Sequence, residues 1–370
     1  MVIDMRTQHY SLDQDILKYP LEKIAPLEKI LLFDIETTGF VANHSYLYLI
    51  GCAYYAEQSW HIRQWFADSY DEEVQVLAQF FHFLSGYTHL LHFNGNSFDL
   101  PYLRQKAAQH KLAFPLDEFE GVDIYKRISP YKNFLKLPNC KQKTIEYYMN
   151  ISREDEKNGK ELIQTYHDYT VSQSETDLRL LLLHNKDDIR GMLQILPMLA
   201  YHDLLFQEVT AKKVQANSYK DYNGIIRQEL FIQLTLPTPI PVPVTSMGRS
   251  CYFKGDGLTG SLIIPIYEEE LKYFYANYRD YYYLPDEDNA FHKSVAMYVD
   301  PQFRKPATAS TCYTRKLSTF LPQWDAIIHP FFKRDYQSKE LFFEITDEVK
   351  KDRALFSLYA SHVLNMIALQ

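Results

Sequence analysis

The chain has 370 residues, 46% of them hydrophobic and 23% charged, which suits about two globular domains and excludes collagen-like or low-complexity classes. Its formal charge of −8, from 39 basic and 47 acidic residues, excludes binding of nucleic acid by bulk positive charge, but not a site that gathers acids around metal cations. No run approaches the ~18 apolar residues of a membrane helix. The opening MVIDMRTQHY does not read as a signal peptide. Cys52, Cys140, Cys251 and Cys312 are scattered with no CxxC pair, so the expected setting is reduced and cytoplasmic, without membrane.

Residues 1–29 read as a polar lead-in, helical at most around SLDQDILKYPLEKI. Ile30–Ile35 is a strong apolar strand, and Tyr46–Ala56 and Ser59–Ala67 are aromatic and β-branched strands close enough to form a hairpin. DEEVQVLAQFFHFLSGY has a helical stripe of Val74, Leu77, Phe80, Phe81 and Leu84, with Gly86 suited to its C-terminal cap. A short strand at His89–Phe93 leads through a turn at Asn94–Gly95 to a second helix opening at Ser97, its expected cap. Gly121–Tyr125 reads as a strand end, and Ser174–Leu199 as a helix apolar on one face. This order predicts an α/β mixed sheet flanked by helices over 30–204.

A polar linker is expected over 205–224, then a β-rich (α+β) C-terminal domain over 225–370. Pro237, Pro239, Pro241 and Pro243 argue for an extended or edge segment. The stretch around Gly255–Gly260 reads as a turn between two strands, and Asp347–Leu369 as a closing helix. Tyr273, Tyr275, Tyr278 and Tyr281–Tyr283, with nearby Arg and Lys pairs, form either an aromatic core or a stacking platform for single strands.

Three segments carry chemistry. In FDIETTGF, Asp34 and Glu36 stand two apart on a strand, so both project from one face while Phe33 and Ile35 project from the other. Adjacent carboxylates on an apolar strand repel, and a divalent cation is the usual compensation. In HFNGNSFDLPYL, Asp99 falls in the first turn of a helix, a position the helix dipole also favours by itself. In LLLHNKDDIRGM, His184 and Asp188 share a helix face one turn apart, while Asp187 points ~100° away. Each segment alone is as consistent with ordinary solvated acids. Together they supply four carboxylates, the number suited to two hard cations, Mg²⁺ or Mn²⁺.

With FDIETTG, NGNSFDLPY and HNKDDI in this order, the chain resembles the DEDD (DnaQ-like) 3′–5′ exonuclease superfamily of ribonuclease H-like fold. More narrowly, it resembles the YprB-type ribonuclease H-like domain, which is similar to the proofreading domain of family-B DNA polymerases. The resemblance spans about 30–200. It implies metal ligands at Asp34, Glu36, Asp99 and Asp188, a two-metal mechanism, and a Thr37–Thr38–Gly39 loop near the terminal nucleotide. Superfamily members carry His five residues before the last Asp or Tyr four before it. Here Leu183 takes the first position and His184 the second, where it is a candidate to orient or deprotonate the attacking water.

The expected partner is single-stranded DNA or RNA. Lys126, Arg127, Lys132, Lys136, Lys141 and Lys143 fall in a stretch without acids and read as a phosphate-tracking stripe or a solvated face. Asn94, Phe98 and Tyr102 flank Asp99 as candidate substrate contacts, the two rings by stacking on a base. The alternative function is a catalytically silent ribonuclease H-like module that binds nucleic acid and recruits a partner through its C-terminal domain.

Overall fold

A computed structural model describes residues 5–369 except 156 and 158. The chain forms two compact units, Met1–His202 and Asp203–Gln370.

The first unit is built on a six-stranded mixed sheet. Its strands are β1 (Arg6–Ser11), β2 (Ile30–Thr37), β3 (Leu47–Ala56), β4 (Ser59–Phe66), β5 (His89–His92) and β6 (Glu120–Asp123), in the order β1-β4-β3-β2-β5-β6. The first four pair antiparallel, while β2–β5 and β5–β6 pair parallel. β2 therefore lies inside the sheet, which its run of buried Ile30, Leu31, Leu32 and Phe33 explains. β1 falls inside the expected polar lead-in. It is an edge strand whose mixed composition carries no alternation signal, and pairing with β4 plus an Arg6–Asp68 ion pair holds it in place.

Helix α1 (Glu73–Phe83) covers one sheet face, with Phe80 packed on Phe33 and Trp65. It ends in a 3₁₀ turn, Leu84–Gly86, so Gly86 is not the left-handed cap expected. Helix α2 (Asp99–Gln109) follows the parallel strand β5. Its cap residue is Phe98 rather than Ser97, and no side chain caps it. Short helices α3 (Ile124–Ile128) and α4 (Gln142–Tyr148) lead to α5 (Gly159–Ser172) and the long α6 (Glu175–Ile195). Ser174 caps α6 by accepting from the Asp177 N–H, a contact worth about 1 kcal/mol. α6 lies across β2, β3 and β4 on the face opposite α1. Helix α7 (Leu199–Phe206) follows a 3₁₀ turn at Pro197.

The second unit contains a six-stranded antiparallel sheet and a small three-stranded one. β7 (Thr210–Lys220) occupies most of the expected linker. Its side chains are mainly polar and exposed, which hid it in the sequence. β8 (Ile226–Gly248) and β9 (Cys251–Phe274) are long and paired together. The four alternating prolines lie where β8 has run past its pairing with β7, which stops at Thr235. On the β9 side the register shifts twice through this stretch, so the missing N–H groups break few ladder bonds.

The Gly255–Gly260 segment is continuous strand rather than a turn. A Cβ at Gly255 or Gly260 would crowd the Phe253 ring, so these glycines make room for a buried aromatic. β10 (Tyr281–Leu284), β11 (Asn289–His292), α8 (Lys293–Ala296), β12 (Lys305–Pro306), β13 (Tyr313–Gln323), β14 (Phe331–Phe332), β15 (Leu341–Glu344), α9 (Asp347–Lys351) and α10 (Arg353–Ala368) complete the unit. α10 buries Phe356, Tyr359, Val363 and Leu364.

The tyrosine-rich span is a core. Tyr275, Tyr281 and Tyr283 pack around Ala290, Ala307 and Cys312, and Tyr275 stacks on Tyr281. Arg315, Lys316 and Arg334 are taken up by Glu270, Glu344 and Glu269. Rings and charges that partner one another in this way favour the aromatic-core reading over the stacking platform. Among the described residues no helix is long and apolar enough to cross a membrane, and the four cysteines are free and buried.

Candidate active site

β2 alternates as its sequence requires. Phe33 faces Phe80 of α1, and Asp34 faces α6, where the Asn185 side-chain amide donates to its Oδ2 at 3.1 Å. Asn185 is itself fixed, because its Oδ1 accepts from Gln64 Nε2 at 2.8 Å while the same nitrogen donates to the Leu182 carbonyl. This approach needs Gly51, the β3 partner of Asp34. A Cβ there would stand 1.9 Å from Asn185 Oδ1.

Two residues on, Glu36 meets the middle of α6. Glu36, His184 and Asp188 each bring one ligand-type atom into a group whose members all lie within 4.8 Å of one another. His184 Nε2 is 3.2 Å from Asp188 Oδ2 and 3.7 Å from Glu36 Oε1. Asp99, at the start of α2, is buried and accepts backbone hydrogen bonds from Ile35 and from its own turn. Folding thus brings Asp34, Glu36, Asp99, His184 and Asp188 together.

The electrostatics follow from that crowding. Burial first, then repulsion from Glu36, Asp188 and Asp99, pushes the Asp34 carboxyl well above the usual carboxylate range. Glu36 is raised well above it too, by burial and then by Asp188, Asp99 and Asp155. Burial pushes Asp99 up to about 7 against the pull of its backbone donors. Among the described residues, Arg153 is a cation in contact with the cluster, its Nη1 2.8 Å from Asp188 Oδ1 and 3.0 Å from Glu146 Oε2.

A carboxyl whose folded-state value is raised destabilises the fold above that raised value and ceases to do so as pH falls through it. Metal-free protein is therefore expected to melt at a higher temperature at about pH 6 than at about pH 8, and a divalent cation to shrink the difference. A melting temperature that instead rises with pH in chelator contradicts this electrostatic picture.

The remaining candidates separate. The Thr37 and Thr38 hydroxyls are used within the loop, by the Gly39 carbonyl and the Tyr46 N–H, so it is the braced Thr37–Gly39 backbone that stands at the end of β2. Asn94 takes a left-handed conformation, and its N–H is held by Asp123. Phe98 is half-buried, edge-on to Phe40, which is 83% exposed. Tyr102 is corrected as a base-stacking contact: it is 3% exposed, its hydroxyl is bonded to Ser45, and its ring packs beneath Phe98. Lys126, Lys132, Lys136 and Lys141 face solvent, and Arg127 is half-buried.

Sequence reasoning missed the supports. Gly51, a glycine inside an aromatic and β-branched strand, was the available signal for close backbone approach. Asn185 lies inside HNKDD itself. Arg153, Asp155 and Glu146 lie in and before a charged loop with no pattern to single them out.

Residues 31–200 match a family model described as the RNase_H superfamily. That segment is a ribonuclease H-like domain, a mixed sheet flanked by helices with the acidic cluster on one of its faces. The chain is similar to the family B DNA polymerase from Pyrobaculum calidifontis, with 12% identity and a TM-score of 0.38 over 69% of this chain and 35% of that one. It is similar to E. coli exonuclease I in complex with a 5cy-dA13 oligonucleotide, with 10% identity and a TM-score of 0.33 over 57% of this chain and 55% of that one. A product-bound exonuclease I structure gives 10% identity and a TM-score of 0.28 over 78% of this chain and 64% of that one. The chain therefore spans well under the full length of each. No curated protein matches it.

Proposed function

We propose that the ribonuclease H-like domain is a metal-dependent nuclease that hydrolyses phosphodiester bonds, acting as a 3′–5′ exonuclease on single-stranded DNA or RNA ends. The observation that carries this reading is the convergence of Asp34, Glu36, Asp99 and Asp188 on one largely desolvated patch, where burial and then repulsion from neighbouring acids push the Asp34 and Glu36 carboxyls upward. Such a patch persists when cations offset it, and its oxygen-rich donor set fits Mg²⁺ or Mn²⁺. Two ions held there by these carboxylates would supply charge relief on the phosphoryl oxygens and help activate a water.

The chain's own residues set the rest. Asn185 orients the Asp34 carboxylate, and Gln64 fixes Asn185. Arg153 engages one oxygen of Asp188 and leaves Oδ2 facing the cluster. The Thr37–Gly39 backbone borders the patch for a terminal nucleotide, and exposed Phe40 with Phe98 offers rings to an unpaired base. Polarity rests on the motif resemblance.

A metal-free, silent binding module is the second reading, and Arg153 favours it by already neutralising Asp188. It leaves the Asp34, Glu36 and Asp99 carboxyls raised all the same, which is why hydrolysis is preferred. End-labelled DNA and RNA oligonucleotides of matched sequence test the choice. A metal-dependent ladder shortening from the 3′ end, with circular strands untouched, is expected. No cleavage with either metal sinks the nuclease reading, and cut circles replace exonuclease with endonuclease action.

The solvent-facing lysines give a separate prediction. Reversing Lys132, Lys136 and Lys141 to Glu should weaken single-strand binding and lower the slope of log K against log salt by about 0.7 per lost phosphate contact. An unchanged salt slope would show that this stripe only solvates the surface.

A further inference from the structure

His184 is built into the site from both sides. Its Nδ1 lies 2.6 Å from Asp155 Oδ2, and both side chains are largely buried. A carboxylate at that nitrogen selects the tautomer with the proton on Nδ1 and leaves a lone pair on Nε2. Nε2 then faces two lone-pair atoms, Asp188 Oδ2 at 3.2 Å and Glu36 Oε1 at 3.7 Å. These three atoms need a shared positive charge among them, a proton in the metal-free protein and a metal ion when one binds.

The spacing suits such a cation. Ligand bonds of about 2.1 Å put neighbouring donors about 3 Å apart and opposite donors about 4.2 Å apart. All three atoms lie within 4.8 Å of one another. Asp155 is itself held in place: the Asp187 carboxylate accepts the N–H groups of Glu154 and Asp155 at 2.7 and 2.9 Å. Asp155 Oδ1 also accepts from the Lys157 N–H, and Lys143 lies 3.4 Å from Oδ2.

We propose that His184 Nε2 is a metal ligand alongside Glu36 and Asp188, with Asp155 as its positioning residue, and that this nitrogen makes the site prefer Mn²⁺ to Mg²⁺. The preference follows from ligand chemistry, because hard, strongly hydrated Mg²⁺ takes imidazole nitrogen poorly whereas Mn²⁺, a transition metal, accepts it alongside carboxylates. This rests on the proposed reading that the cluster binds divalent ions, and it assigns His184 to the metal rather than to proton transfer from water.

The test is pulsed electron paramagnetic resonance on the full chain loaded with Mn²⁺, combined with binding titrations of Mn²⁺ and Mg²⁺. The wild-type protein should show the ¹⁴N modulation of a directly bound imidazole. His184→Gln should still bind Mn²⁺ through carboxylates but lose that modulation, and its Mn²⁺-over-Mg²⁺ preference should fall by about tenfold or more. Asp155→Asn keeps the ring and should weaken Mn²⁺ binding by about 10–100-fold. Bound Mn²⁺ without nitrogen modulation, or a His184→Gln variant with an unchanged metal preference, overturns the assignment. Nitrogen modulation in a protein that cleaves no oligonucleotide upholds the ligand assignment while overturning the nuclease reading. Failure to bind Mn²⁺ overturns both.

Discussion

Replacing Asp34 by Asn is expected to lower metal-dependent hydrolysis of single-stranded oligonucleotides on the order of 10²–10³-fold or more, as loss of a group that stabilises transition-state charge does elsewhere. The fold should survive. Asn fills the same volume between β3 and α6, and it removes one charge from a cluster whose members already raise one another. Metal-free Asp34→Asn is therefore expected to melt at or above the wild-type temperature near pH 8, while gaining less than the wild type from added Mn²⁺. Activity within a few fold of wild type would remove Asp34 from the chemistry. Unfolding of the variant would mean that the carboxylate supports the fold, contrary to the repulsion derived for it.

Gly51→Ala should damage the same site through packing alone. Its Cβ would stand 1.9 Å from Asn185 Oδ1 and 2.8 Å from Asn185 Cγ, inside a rigid junction of β3 and α6. Overpacking of this kind costs about 1–3 kcal/mol, or several degrees of melting temperature for a unit of this size. Hydrolysis should fall with it, because Asn185 can no longer both accept from Gln64 and donate to Asp34. Adding Asn185→Ala relieves the clash, so the double variant should melt above Gly51→Ala, a non-additivity that marks direct contact. A Gly51→Ala protein with unchanged melting and activity would refute the close approach.

The route from sequence to site shows which signals a chain displays. Asp34 and Glu36 were legible because strand periodicity alone decides their shared face, and Phe33 on Phe80 shows the other face where alternation puts it. His184 and Asp188 were legible for the same reason at helical spacing. Asp155 was not, because it reaches His184 from an irregular loop whose position depends on Asp187 accepting two backbone N–H groups. That is a tertiary arrangement with no sequence period. β1 and β7 were missed because edge and polar strands lack the alternation that marks a half-buried one. Tyr102 was misassigned because a residue one turn after Asp99 lies beneath the helix start rather than beside it, with its hydroxyl held by Ser45.

The proposed nuclease requires the acids on β2, α2 and α6 to form a single cation-binding cluster. Crystals of the full chain grown with Mn²⁺, with diffraction recorded at the manganese absorption edge, address it most directly. The prediction is anomalous density among Asp34, Glu36, Asp99 and Asp188, absent from Asp34→Asn crystals or reduced there. Well-ordered side chains at these positions with no manganese among them, at concentrations that saturate metal elsewhere on the protein, would contradict it.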